Sequence, residues 1–195
     1  MWVCEAWLDP RGDLQSIEQY IAPLVATYGT EESAGSIISK WLSAGGAKDV
    51  VADHMMKYLE ANAECHGAVF VLRAWTKAGG DLPAVAGYAH RWLAVHAAIA
   101  DASFLYRLSL KAAGKPEVVT PLMVKWARIH ADSESASYVL NLLLSCKVDP
   151  TGVEEPIQRW LRNHLRRQKS VECANPLDPI ELQPRSGPHC IRQSV

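Results

Sequence analysis

Arg73 and Lys77 stand four residues apart, and so do Arg107 and Lys111, one 34-residue interval further along. Like charges at that spacing share one face of a helix and repel each other. A compensating anion is the chemistry such a quartet invites, and a carboxylate-rich peptide segment supplies it. The plainer reading is a solvated face. Residues one interval to either side, Ser39, Ser43, Asn141 and Ser145, are neutral, so the quartet interrupts the local pattern. A second set of cations does keep the pattern. Lys57, Arg91, Lys125 and Arg159 recur at the same interval, as do His96, His130 and His164, with Asn62 opening the series. These ladders could present positive charge to an acidic peptide or a phosphate backbone. Alternatively their stems pack over neighbouring Trp rings and the histidines bond helix-end carbonyls. Recurrence in every unit favours the structural reading.

Other chemistry finds no support. The sequence holds no HExxH, no GxSxG, no P-loop and no glycine-rich phosphate loop. His54 and His66 lie twelve residues apart with no carboxylate partner implied by the pattern. The five cysteines are scattered and form no CxxC pair, so neither a metal site nor a disulfide framework is expected. The expectation is a cytoplasmic, non-catalytic chain with no cofactor and no metal. Its 195 residues are 49% apolar, enough for a real core. No apolar run approaches the ~18 residues of a membrane span, and Met1 to Leu8 lack a basic n-region. A net charge of −1 excludes strong generic polyanion binding but allows a local basic patch.

The elements that must position these residues come from an internal repeat. At an offset of 34 residues, Ala34, Ala68, Ala102 and Ala136 coincide. The same offset aligns Trp2, Ser36, Phe70, Phe104 and Tyr138, and then Trp7, Trp41, Trp75, Ser109 and Leu143. Gly12, Gly46, Gly80 and Gly114 form a glycine column. Ile17, Val51, Val85, Val119 and Val153 follow, then Leu24, Tyr58, Trp92, Trp126 and Trp160. The aromatic and aliphatic columns read as core. Each unit reads as helix A, turn, helix B, because the apolar positions of each half are spaced by three and four. Thr30 to Ser33, Asp101 and Asp132 to Glu134 offer side-chain caps for the A helices. Gly45-Gly46 and Gly79-Gly80 end them. Helix B starts near Asp13, Ala47, Asp81, Lys115 and Asp149. Pro23, Pro121 and Pro156 then fall inside B helices, so helix B either starts late or bends.

The units run over about 1–29, 30–63, 64–97, 98–131 and 132–168, with a disordered tail over 169–195 rich in proline. The first unit is incomplete. Either the chain is the C-terminal part of a longer array or a truncated gene product, or its N-terminal face docks on a partner or a second copy.

A 34-residue helix-turn-helix array resembles the tetratricopeptide and pentatricopeptide class of repeats. Lys77-Ala78-Gly79 and Lys111-Ala112-Ala113-Gly114 resemble the Lys-Ala-Gly turn of the pentatricopeptide class. The resemblance implies an all-α fold, an α-solenoid of about five stacked hairpins in a right-handed superhelix. It implies that the A helices line a concave groove holding peptide ligands. It also places a base-reading position near Ser36, Phe70, Phe104 and Tyr138, which are mostly aromatic rather than polar. The expected function is a non-catalytic scaffold for a protein or peptide partner, with RNA binding as the alternative and no membrane.

Overall fold

The computed structural model describes residues 14–113, 116–147, 149 and 152–174, and the backbone alone for 113 and 166–174. Trp2, Trp7, Gly12, Asp13, Gly114, Lys115 and Pro150 lie outside the described residues. So do the incomplete first A helix, with its expected role in self-association, and positions 175–195.

Nine α-helices, one short 3-10 helix and no strand occupy the described residues. The A helices are α2 (Glu32–Ser43), α4 (Ala68–Lys77), α6 (Ala102–Ala113) and α8 (Ala136–Ser145). The B helices are α1 (Leu14–Tyr28), α3 (Ala52–Asn62), α5 (Leu82–His96), α7 (Pro116–His130) and α9 (Glu154–Ala174). By contacts the chain divides after Trp160 into two units. The second unit begins at Leu161 and holds the remainder of α9, which runs to Ala174, past the boundary at 168 read from the sequence.

Within the first unit the A helices pack in series, α2 on α4, α4 on α6, α6 on α8. The B helices α1, α3 and α5 do the same, and neighbouring A and B helices pack against each other. The columns set by composition are the buried ones. Ala34, Ala68, Ala102 and Ala136 are fully buried, and their small side chains let successive A helices approach. Val51, Val85, Val119 and Val153, and Tyr58, Trp92 and Trp126, fill the space beneath the B helices.

Three of the four A helices show no side-chain cap bond at the residue before their first turn. Glu31, Gly67 and Ser135 make no side-chain cap bond. Instead the backbone N–H groups of Ala34, Ala68, Ala102 and Ala136 donate to the carbonyls of Glu31, Cys65, Ile99 and Ser133. A tight backbone turn thus supplies what a cap would. The prolines of the B helices sit in two kinds of place. The α9 helix starts late, so Pro156 sits in its first turn, where a missing N–H costs nothing. Pro23 and Pro121 lie inside α1 and α7, on exposed positions where water replaces the lost donor.

The two glycines of each turn do different work. Gly45 and Gly79 adopt positive φ, 93° and 70°. Gly46 and Gly80 stand against the rings of Trp41 and Trp75, and a Cβ on either would come within 2.1 Å of the indole. The rings are pinned there because Nε1 of Trp41 donates to the Ala47 carbonyl (2.9 Å) and Nε1 of Trp75 to that of Asp81 (3.2 Å). Gly46→Ala therefore lowers stability by about 1–3 kcal/mol through overpacking. Gly87→Ala, inside α5 with open space at its Cβ, raises it by about 0.5–1 kcal/mol. Denaturant melts of the two variants check the contrast.

Tyr106 is fully buried, and its hydroxyl reaches the carbonyls of Ala97 and Leu122. Burial raises its pKa well above the usual value. The neutral phenol is the form that folds, so its contribution is complete below the unfolded pKa of about 10 and is lost as pH rises further. Tyr106→Phe is expected to cost about 1 kcal/mol at neutral pH and to soften the alkaline loss of stability, read by thermal melts across pH.

Candidate functional site

Arg91, Arg159, His96 and His130 of the recurrent ladders form joints between hairpins. Trp92 Nε1 donates to the Cys65 carbonyl (3.0 Å), and Trp126 Nε1 makes the same bond to Ile99 (2.7 Å), each 27 residues upstream. His96 Nε2 lies 2.8 Å from the Glu64 carbonyl and His130 Nε2 lies 2.7 Å from that of Ala98. Asn62, at the head of the series, donates to the Thr30 carbonyl at 2.7 Å. All three reach 32 residues back. Arg91 donates to the Glu60 carbonyl and Arg159 to that of Arg128, 31 residues back in both cases. The last carbonyls of a helix lack intrahelical donors. The following B helix supplies a donor to two such carbonyls, Glu60 and Arg128, and to the turn carbonyls of Thr30, Glu64, Cys65, Ala98 and Ile99.

The arginine charges are spent as well. Arg91 pairs with Glu60 (3.6 Å) and Glu64 (3.5 Å), and Arg159 with Asp132 (3.7 Å) and Glu155 (3.4 Å). Lys57 and Lys125, in the same column, are exposed. His164 lies in the second unit on α9 and is exposed. His66, which the sequence left without a carboxylate, has one: its Nε2 lies 3.4 Å from Asp101 Oδ2. Its ring meets Phe70 edge-on at 5.6 Å.

The A helices are the opposite case. Apart from Glu32 at the start of α2, none of α2, α4, α6 and α8 contains an acidic residue. Arg73, Lys77, Arg107 and Lys111 are all exposed, and none makes an ion pair among the described residues. Lys77 and Lys111 fall in the last turns of α4 and α6, where the helix dipole favours a cation. The arginines sit one turn earlier. The Arg73 guanidinium lies 5.8 Å from the centre of the Phe104 ring on the next A helix, a cation–π contact.

Between α2 and α4 lies a cleft of about 310 Å³ lined by Ser39, Lys40, Ser43, Phe70, Arg73 and Lys77. A second cavity of about 440 Å³ shares Ser39 and Phe70 with it and continues toward the helix starts past Ser36, Tyr58, His66 and Glu32. Burial and the nearby Cys65 and Glu32 raise the pKa of Tyr58. The cleft joins the first cation pair of the quartet to Lys40. Arg107 and Lys111 stand on α6, outside its lining.

Two features escaped the sequence reading. Lys40 belongs to a column whose other members, Ala74, Leu108 and Leu142, are apolar, and that break was the available signal. Phe70 is not core: it is 47% exposed, while Phe104 and Tyr138 are partly buried. This column faces the cleft side of the A helices because the neighbouring Val71, Leu105 and Val139 take the buried positions.

No protein-family model, no curated protein and no solved structure matches this chain.

The two kinds of cation are separable by melting. His130→Ala leaves the Ala98 carbonyl without its donor and is expected to cost about 1 kcal/mol. Arg107→Glu removes no bond and leaves the melting temperature unchanged. Differential scanning calorimetry of both variants measures it.

Proposed function

We propose that the chain is a non-catalytic helical-repeat scaffold of the tetratricopeptide-like kind. Its hairpins stack as a right-handed α-solenoid, and it works in the cytoplasm. Its A-helix side binds an extended acidic segment of a protein partner. One observation carries the reading: Arg91 and Arg159 on the B helices are held by carbonyls and carboxylates, whereas among the described residues the quartet on the A helices has neither. The i, i+4 pairs on α4 and α6 retain a repulsion that a bound carboxylate relieves. Exposed Phe70 and the Arg73–Phe104 contact add apolar surface for the aliphatic parts of such a segment.

Single-stranded RNA is the second reading, favoured by the same rings. Aromatic side chains interleaved with cations form a platform on which bases stack. The overall charge of −1 speaks for the peptide.

The test is fluorescence anisotropy with a labelled Glu- and Asp-rich peptide pool and a labelled oligouridine. The peptide pool is expected to bind, and Arg73→Glu with Arg107→Glu to weaken it by about tenfold or more, the scale of one or two charge-assisted hydrogen bonds. Unchanged affinity in the double variant sinks the peptide reading. Preferential, strongly salt-dependent oligouridine binding puts RNA in its place.

A further inference from the structure

We infer that the cavity of about 440 Å³ beside the starts of α2 and α4 is a subsite for an alkylammonium group. The repeat is broken where this cavity lies. Tyr58 takes the place of Trp92 and Trp126, and Gly35 the place of Val69, Ser103 and Ser137. The two indoles close on turn carbonyls 27 residues upstream. The phenol does not. It lies where a Cβ on Gly35 would strike its ring and one on Gly67 would meet its hydroxyl at 3.4 Å. Tyr58 is 1% exposed and lines the cavity, yet its hydroxyl has no hydrogen-bond partner among the described residues. A buried hydroxyl left open is a cost that a bound polar group removes.

The groups still open select the ligand. Asn62, Cys65 and His66 line the cavity but are engaged: Asn62 donates to the Thr30 and Tyr58 carbonyls, Cys65 Sγ to Asn62 Oδ1, and His66 pairs with Asp101. The Ser39 hydroxyl is donated to the Ser36 carbonyl. Three acceptors remain: the Tyr58 hydroxyl, and the Glu32 carboxylate and Ser36 hydroxyl, which stand four residues apart on one side of α2. No lysine or arginine lines the cavity. Burial, then Cys65 and Glu32, raise the Tyr58 pKa, so the phenol stays neutral. The starts of α2 and α4 count for roughly +0.5 charge each and the end of α3 for roughly −0.5. The Glu32 carboxylate tips that balance negative. An ammonium brings three N–H donors and one positive charge. Its methylene stem and its charge both suit the half-exposed Phe70 ring on the wall.

A lysine side chain of a bound segment and a small free amine share this chemistry, and neither needs the cationic quartet. Nα-acetyl-lysine amide, Nα-acetyl-norleucine amide and n-butylammonium are titrated into the ¹⁵N-labelled full chain at constant ionic strength. Both ammonium compounds are expected to shift the amides of Gly35, Ser36 and Gly67 saturably, and the norleucine compound is not. Glu32→Gln, at an exposed position, weakens that binding about tenfold and Tyr58→Phe about threefold, the scales of a charge-assisted and a neutral hydrogen bond. Tyr58→Phe does not lower the melting temperature, because the hydroxyl bonds nothing in the fold. Labelled acidic peptide pools with a central lysine or norleucine separate the sources. A lysine advantage that Glu32→Gln abolishes assigns the subsite to a peptide side chain. Equal binding of the two pools, with the amine shifts retained, assigns it to a free amine. If neither ammonium compound shifts these amides, or their affinity survives both Glu32→Gln and Tyr58→Phe, the subsite is overturned and the acidic-segment reading is untouched. If no pool binds, that reading falls and the amine titrations alone decide the subsite.

Discussion

Helix ends and the turns after them carry carbonyls that the local backbone leaves open, and in this chain the next hairpin supplies donors to several of them. The indoles of Trp92 and Trp126, the imidazoles of His96 and His130, the Asn62 amide and the guanidinium groups of Arg91 and Arg159 all reach back to the turn or helix end one unit before. Each hairpin thus needs its successor to close its hydrogen bonds, and an isolated one would leave them to water. The ion pairs that accompany Arg91 are partly exposed and contribute little by themselves. The bonds to carbonyls and the burial of the Trp rings hold the joint.

That division of labour decides which surface is free. The seven donors just named lie on B helices, and Tyr106 on α6 adds one from an A helix. The A helices meet through fully buried alanines, and the turns beyond α2 and α4 are closed by Trp41 and Trp75 folding back on Gly46 and Gly80. The carbonyl bonds and the indole turns do not call on Lys77, Arg107 or Lys111. A face without structural duties tolerates substitution, so charge and aromatic area can collect there without loss of the fold.

The columns made most of the fold legible. Periodic Ala, Val and Trp positions predicted the buried set. What could not be read were bonds that depend on the pitch between hairpins. A 34-residue interval says that His96 and His130 are equivalent, but not that each spans 32 residues to an upstream carbonyl. The same holds for Gly46, legible as a helix end but not as the residue whose Cβ would meet the Trp41 indole. On the candidate site, charge breaking the pattern was visible in Arg73 and Arg107. The exposure of Phe70 was not, because a periodic aromatic looks alike on either side of a helix.

The near-zero net charge conceals a sorting by position along each A helix. Glu31, Glu32, Glu64, Asp101 and Glu134 lie at or just before the helix starts, and Lys40, Lys77 and Lys111 lie in the last turns. Both placements suit the helix dipole, so the fold itself accounts for the acids and the lysines. It does not account for Arg73 and Arg107, which stand a turn too early for the dipole to reward them and beside a lysine that repels them. Arg73 finds partial relief over the Phe104 ring. The proposed binding role therefore rests on the two arginines more than on the lysines, because theirs is the charge for which folding gives no reason.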